Sequence, residues 1–231
     1  MITAETIRER HSVREYDGKP LSRAEFNALI AVVEECARES GLDIQLVGDN
    51  PEVFNVIARF GLIRGCRTHV AFVVDGAKAG DVAADEAIGY WGQKIVLAAQ
   101  DMGLNTCWCA LCSRKKSRAV VAPGKKIRLI IAVGHGKTQG FSRKTKNVEA
   151  LSSVECAKAP AWFAAAMEAA QLAPTAMNNQ NFKITLLSDG KTVRIDAPQS
   201  GLNVIDEGIV RCNFEIAANE AGADWRWERD I

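Results

Sequence analysis

The sequence has no long apolar run. Stretches such as Leu129–Val133 fall far short of the roughly 20 residues that a membrane-crossing helix needs, so no membrane association is expected. No charge of one sign dominates either: 29 Lys and Arg face 28 Asp and Glu, for a net charge of +1. That excludes a generally basic nucleic-acid binder. The Met1–Asp17 segment is dense in Arg and Glu and lacks the apolar centre of a signal peptide. Seven cysteines, an odd number, argue against a disulfide framework and for a reducing, cytoplasmic setting. What is present is an ordinary globular balance, 48% hydrophobic and 25% charged, in 231 residues. This length lies between one large domain and two small ones and is ample for a sizeable core.

The order of elements predicts an α+β protein. Ser22-Arg23-Ala24-Glu25 has the form of a capping box, flanked by Leu21 and Phe26 as a hydrophobic staple. Apolar residues then recur at Phe26, Leu29, Ile30, Val33 and Cys36 with helical period, and Gly41 marks the stop. Strands are expected at Asp43–Val47, His69–Val74 and Ile127–Val133, and helices over Pro51–Phe60 and Asp85–Met102. Gly103 closes the second of these helices, and a loop is expected to follow it. The polar stretch Lys137–Ser153 reads as a surface connection. Beyond it come a helix through Phe163 and Ala170, strands at Lys183–Leu187 and Thr192–Asp196, and a last helix around Ile209–Ala221.

The second series echoes the first. Asp85-Glu86-Ala87-Ile88 is repeated as Asp206-Glu207-Gly208-Ile209, and the Ala98–Gly103 run as Ala217–Gly222. Trp108 corresponds to Trp227. Agreement in element order as well as in letters points to an internal duplication, with halves at 1–150 and 151–231.

Three segments offer chemistry. Arg10-His11-Ser12-Val13-Arg14 places two guanidiniums and a hydroxyl close together, matching phosphate in geometry and charge; alone it reads more readily as a solvated face. Pro174-Thr175-Ala176-Met177-Asn178-Asn179-Gln180 offers amides that donate and accept, as a heterocycle edge requires. Asn side chains bonding their own backbone in a turn would also explain it. Gly103-Leu104-Asn105-Thr106-Cys107-Trp108 supplies backbone able to approach a planar ligand, or simply a helix cap followed by a core Trp. Cys107, Cys109 and Cys112 lack a fourth ligand with paired spacing, so they read as core thiols and no metal is expected. Gly134-His135-Gly136-Lys137-Thr138 misses the P-loop, because position 131 is Ile, and misses the dinucleotide fingerprint, because position 139 is Gln.

Taken together, these segments resemble the FMN-dependent nitroreductase family. Its members open with an Arg-x-Ser-x-Arg phosphate motif, carry Pro-Ser/Thr-x-x-Asn-x-Gln, end a long helix in Gly-Leu-Gly-Thr and have a late basic pair. The counterparts here are Arg10, Ser12 and Arg14; Pro174, Thr175, Asn178 and Gln180; Gly103-Leu104-Asn105-Thr106; and Arg143, Lys144 and Lys146. In ordinary members the Pro-Ser/Thr segment follows the first helix, whereas here that place holds Cys36–Gly41. Asn105 also stands where the family has its second Gly.

The resemblance implies a three-layer fold with a central, mostly antiparallel sheet flanked by helices. It further implies a single-chain pseudo-dimer binding one FMN, which would allow a monomer. Carried over, Arg10, Ser12 and Arg14 bind the phosphate, Arg143 and Lys146 close over it, and His11 lies near the ribityl chain. Pro174, Thr175 and Asn178 contact the isoalloxazine, the Thr106-Cys107-Trp108 backbone lies near its reactive face, and Arg64 sits near its pyrimidine. The implied activity is hydride transfer from NAD(P)H to a nitroaromatic or quinone, without a catalytic side chain. FMN binding without useful turnover is the alternative.

Overall fold

The computed structural model describes residues 2–54, 63–155 and 158–229. They form α1 (Ala4–Glu9), α2 (Arg23–Ser40), β1 (Asp43–Val47), β2 (Thr68–Asp75), α3 (Val82–Asp101), β3 (Asn105–Cys109) and β4 (Lys125–Gly134). There follow α4 (Val148–Leu151), α5 (Ala161–Gln171), β5 (Lys183–Leu186), β6 (Thr192–Asp196), α6 (Leu202–Glu220) and β7 (Arg226–Trp227). The chain divides into two compact units. One comprises Glu9–Ala79 and Lys94–Ser142, the other Met1–Arg8, Gly80–Gln93 and Arg143–Ile231.

In the Glu9–Ser142 unit, four strands pair in the order β1-β2-β4-β3, each antiparallel to its neighbour. The continuous apolar runs of β2 and β4 occupy the centre, where both faces of a strand are covered. The half-exposed β1 takes one edge and β3 the other. Helix α2 begins as its sequence predicts. Ser22 Oγ accepts the Glu25 N–H, the Glu25 carboxylate accepts the Ser22 N–H, and Gly41 ends the helix at φ 70°. One face of the sheet packs Val13, Tyr16, Phe54, Cys66, Ala71, Val73, Cys107 and Cys109 into a common core.

In the other unit, β5 and β6 are antiparallel and β7 adds parallel to β6. Trp162, Phe163, Phe214, Trp225 and Trp227 cluster with ring centroids 5.1–6.3 Å apart. The first turns of α3 cross α6 closely. A Cβ on Gly89 would lie 2.0 Å from the Ile205 carbonyl oxygen, and one on Gly208 would lie 2.0 Å from that of Glu86. Only glycine lets the two backbones meet at that distance.

Helices α3 and α6 terminate alike. Gly103 N–H donates to Gln100 O and Leu104 N–H to Ala99 O, while Gly222 N–H donates to Asn219 O and Ala223 N–H to Ala218 O. This is the two-bond closure around a left-handed glycine, with φ 75° at Gly103 and 66° at Gly222. Each glycine precedes by five residues a Trp that lies on a strand, Trp108 on β3 and Trp227 on β7.

Three expectations change, and one helix was not foreseen. The loop after Gly103 is absent, because that closure reverses the chain within two residues and β3 starts at Asn105. The Lys137–Ser153 connection contains α4, capped by the Asn147 side chain and anchored by buried Leu151; one turn is too short to display a period. The charged N-terminus forms α1 around buried Ile7. Pro51–Phe54 is a 3₁₀ turn, and the rest of the helix expected to residue 60 lies outside the described residues.

Candidate functional site

The leading Arg-x-Ser-x-Arg run is an extended ribbon seated on β3 and on the segment at Arg64. Val13 N–H donates to Thr106 O at 2.9 Å, and Ser12 bridges Thr106 in parallel. Arg64 N–H donates to Arg14 O and Tyr16 N–H to Arg64 O, both at 2.8 Å. Asp17 N–H donates to His135 O and Lys137 N–H to Glu15 O. Val13 and Tyr16 turn into the core, whereas Ser12 is half-buried and Arg14 exposed.

The ribbon thus brings Arg10, His11, Ser12, Arg14, Arg64 and Thr106 together. Arg10 is buried, whereas the Arg14 and Arg64 side chains reach solvent. Arg64 pairs with Glu15 at 3.2 Å. A Cβ on Gly140 would lie 2.6 Å from His11 Cβ, so a bare backbone passes against the base of the His11 side chain.

On β3, Thr106 and Cys107 are buried and Trp108 is half-buried. Trp108 stacks on Phe72 at 6.2 Å and 13°, while Cys107 and Cys109 face the core on the opposite side. Burial pushes the Cys66 thiol up to about 12 and that of Cys109 higher still, and it raises Tyr16 well above the usual phenol range. Cys112 also moves up, because burial outweighs the adjacent Arg114 guanidinium. Among the described residues no group of His, Cys, Asp or Glu is arranged to hold a metal.

Asn105, where the family motif has glycine, fits without strain. Its Oδ1 accepts the Gly136 N–H and its Nδ2 donates to Gln139 Oε1, both at 2.9 Å. The buried amide therefore fixes the Gly134–Gly140 turn, which the sequence alone left open.

In the other unit, the Pro174–Gln180 segment is a tight turn with Met177, Asn178 and Gln180 all at positive φ, 53°, 57° and 47°. Three non-glycine residues in the left-handed region cost about 1–2 kcal/mol each and persist only where other contacts fix them. Those contacts are present. Thr175 Oγ1 accepts the Gln180 N–H at 3.0 Å, and Asn178 Nδ2 donates to Lys144 O at 2.8 Å. Gln180 Oε1 accepts the Lys146 N–H, Lys146 Nζ donates to Gln180 O, and Gln180 Nε2 donates to Gln171 O. Gln180 is thus a fully engaged internal brace, buried at 1% exposure, and not one of a pair of outward amides. The Lys146 ammonium is likewise tied to its own unit. Arg143 is exposed, Pro174 and Asn178 are half-buried, and Thr175 is buried. Met177, at 89% exposure, is the tip.

Sequence reasoning missed Asp206. It lies on α6, and both its carboxylate oxygens sit within 3.0 Å of the Ala176 N–H. Burial raises its carboxyl to about 7, against the smaller opposing effect of that hydrogen bond. The only sequence signal for it is its alignment with Asp85 in the repeat.

An all-antiparallel sheet whose edge strand carries an Arg-x-Ser-x-Arg ribbon, with helices packed around it, defines the nitroreductase class of α+β fold. The family described as "Putative TM nitroreductase" matches residues 2–218. The chain belongs to this family, whose members are nitroreductase-type oxidoreductases. Among solved structures, a putative nitroreductase from Thermotoga maritima superposes with a TM-score of 0.67 at 20% identity, covering 100% of this chain and 90% of that one. A putative nitroreductase from Desulfovibrio desulfuricans, solved in complex with FMN, gives 0.51 at 20% identity over 65% of this chain and 95% of its own. A nitroreductase family protein from Streptococcus pneumoniae gives 0.51 at 14% identity, over 65% and 98%. No curated protein matches.

Proposed function

We propose that the chain is an FMN-dependent oxidoreductase that takes a hydride from NADH or NADPH and passes electrons to a small oxidised acceptor such as a nitroaromatic or quinone. The observation that carries this reading is the seating of the Arg10–Arg14 ribbon on Thr106, which gathers Arg10, Ser12, Arg14 and Arg64 on adjoining backbone. Guanidiniums and a hydroxyl so grouped suit a dianionic phosphate, each charge-assisted contact contributing about 1.5–3 kcal/mol. The FMN held by the Desulfovibrio desulfuricans protein of the same fold supports the choice of cofactor.

In this reading Arg10, Ser12 and Arg14 take the phosphate and His11 attends the ribityl chain, whereas Arg143 and Lys146, whose ammonium donates to Gln180 O, belong to the other unit. Pro174, Thr175 and Asn178 meet the ring edge. The Thr106-Cys107-Trp108 backbone lines the ring, and the Arg64 cation favours the negative charge that a reduced flavin carries at its pyrimidine. FMN supplies the hydride chemistry, and no protein nucleophile is required. The matched ends of α3 and α6 support a duplicated origin of the two halves. Free thiols among the described cysteines suit a reducing cytoplasm.

The test starts from the purified protein. Yellow protein releasing FMN on denaturation, and bleaching of that colour by NADH or NADPH within turnover time, is the expected result. Colour that persists with both reductants leaves an FMN-binding protein without turnover. Colourless protein that does not take up FMN refutes both.

A further inference from the structure

We propose that Asp206 is the positioning residue of the flavin-facing turn, holding Pro174–Gln180 in its left-handed conformation through the Ala176 N–H; this rests on the reading of that turn as a flavin contact.

The case is geometric. The turn has three consecutive anchor points. Thr175 Oγ1 closes it from inside, the Lys144–Lys146 backbone holds its Asn178 and Gln180 end, and Asp206 holds its beginning. The first is neutral, and the second, which also includes the Lys146 ammonium donating to Gln180 O, is made by flexible side chains and neighbouring coil. Asp206 instead projects from the second turn of the 19-residue helix α6, whose buried face is locked into its unit, so it refers the turn to a rigid element. A carboxylate is the stronger acceptor for a backbone N–H. Both its oxygens approach this one donor, at 2.9 and 3.0 Å, from a residue 30 positions later in the chain. Among the described residues Asp206 forms no ion pair, so its charge has no other evident use there. The strain lies immediately downstream, at Met177 and Asn178. Without the hold on Ala176, these two residues are free to relax toward ordinary φ, and the Asn178 side chain leaves its place.

The experiment compares wild type with Asp206→Asn, which keeps shape and one acceptor but loses the charge. Asp206→Ala serves as the more severe variant. Amide exchange by mass spectrometry on the protein without added flavin should rise at least about tenfold across 175–180, with α6 itself unchanged. FMN should be held at least about tenfold more weakly, while the urea midpoint at pH 8 does not fall. Unaltered exchange over 175–180, or faster exchange there with undiminished FMN retention, overturns the assignment. So does a rise across the whole chain with a lower midpoint, which is what a merely structural carboxylate would give. Wild-type protein that takes up no FMN overturns the flavin reading instead, and the exchange comparison, needing no flavin, still decides whether Asp206 holds the turn.

Discussion

Glu86 on α3 and Arg211 on α6 lie 2.8 Å apart with side chains only 1% and 3% exposed. The guanidinium Nε–H does not point along that line, so the contact is an ion pair without an aligned hydrogen bond. Alignment is found elsewhere in the cluster. Arg211 donates to the Arg229 carbonyl, Arg229 donates to Glu207, and Gln199 donates to Glu207. The Arg211 guanidinium also covers the Trp227 ring at 4.6 Å. Burial lowers Arg211 and raises Glu207 from their ordinary values.

Removing Arg211 leaves two buried carboxylates facing each other with one half-exposed arginine between them. Arg211→Ala should therefore lose about 3–5 kcal/mol of stability, read as a lowered urea midpoint. A shift under about 1 kcal/mol, the range of an exposed pair, would contradict this account of the cluster.

Asp206 gives stability a pH dependence. Its folded value of about 7 lies above the ordinary 3.8, so the folded state binds the proton more tightly than the unfolded chain. Its contribution is full below about 3.8 and is lost as pH rises to about 7. The loss is at most about 4 kcal/mol, lessened because the carboxyl still meets some water. Urea midpoints of wild type and Asp206→Asn should diverge between about pH 4 and 7 in favour of the Asn variant and keep a level gap above that. A constant gap would show that the carboxyl does not titrate in that window.

Glycine at the α3–α6 crossing is a steric requirement. Gly89→Ala puts a methyl group 2.0 Å from the Ile205 carbonyl, and Gly208→Ala does the same at Glu86. Backbone cannot rotate aside as a side chain can, so each variant should lose about 1–3 kcal/mol or more, despite the better helix propensity of Ala. Calorimetry would show it, and unchanged melting would place the helices farther apart.

Cofactor retention should follow the leading arginines. Arg14→Ala should weaken FMN retention by about 1.5–3 kcal/mol, and Arg10→Ala with Arg14→Ala by at most about 3–6. Fluorescence titration measures both. Undiminished retention in the double variant would put the phosphate elsewhere.

Much of this architecture was legible because local rules and global packing agree. Ser22 and Glu25 announce the start of α2, and the unbroken apolar run of β4 announces a central strand. The turn at Pro174 was legible as unusual but not as a structure. Nothing in the letters of Gln180 says that it turns inward, since the same amide serves as a brace or as a ligand contact depending on where Lys146 and Gln171 fall. Asp206 was hidden for a related reason: a hydrogen bond to an amide 30 residues earlier leaves no periodic trace. Asn105 shows the converse. Judged against a motif it looks like a defect, and only the Gly136 and Gln139 contacts reveal a substitute.

The sulfur-lined interior beneath the arginine ribbon has a practical corollary. With Cys66, Cys107 and Cys109 withdrawn from solvent and burial holding the protons of Cys66 and Cys109 tightly, an alkylating dye would find little to attack at these three thiols in the native fold. Among the described thiols part-exposed Cys112 would label first, and these three only as the sheet opens. The protein carries its own counter of opening events, readable by mass without any engineered probe.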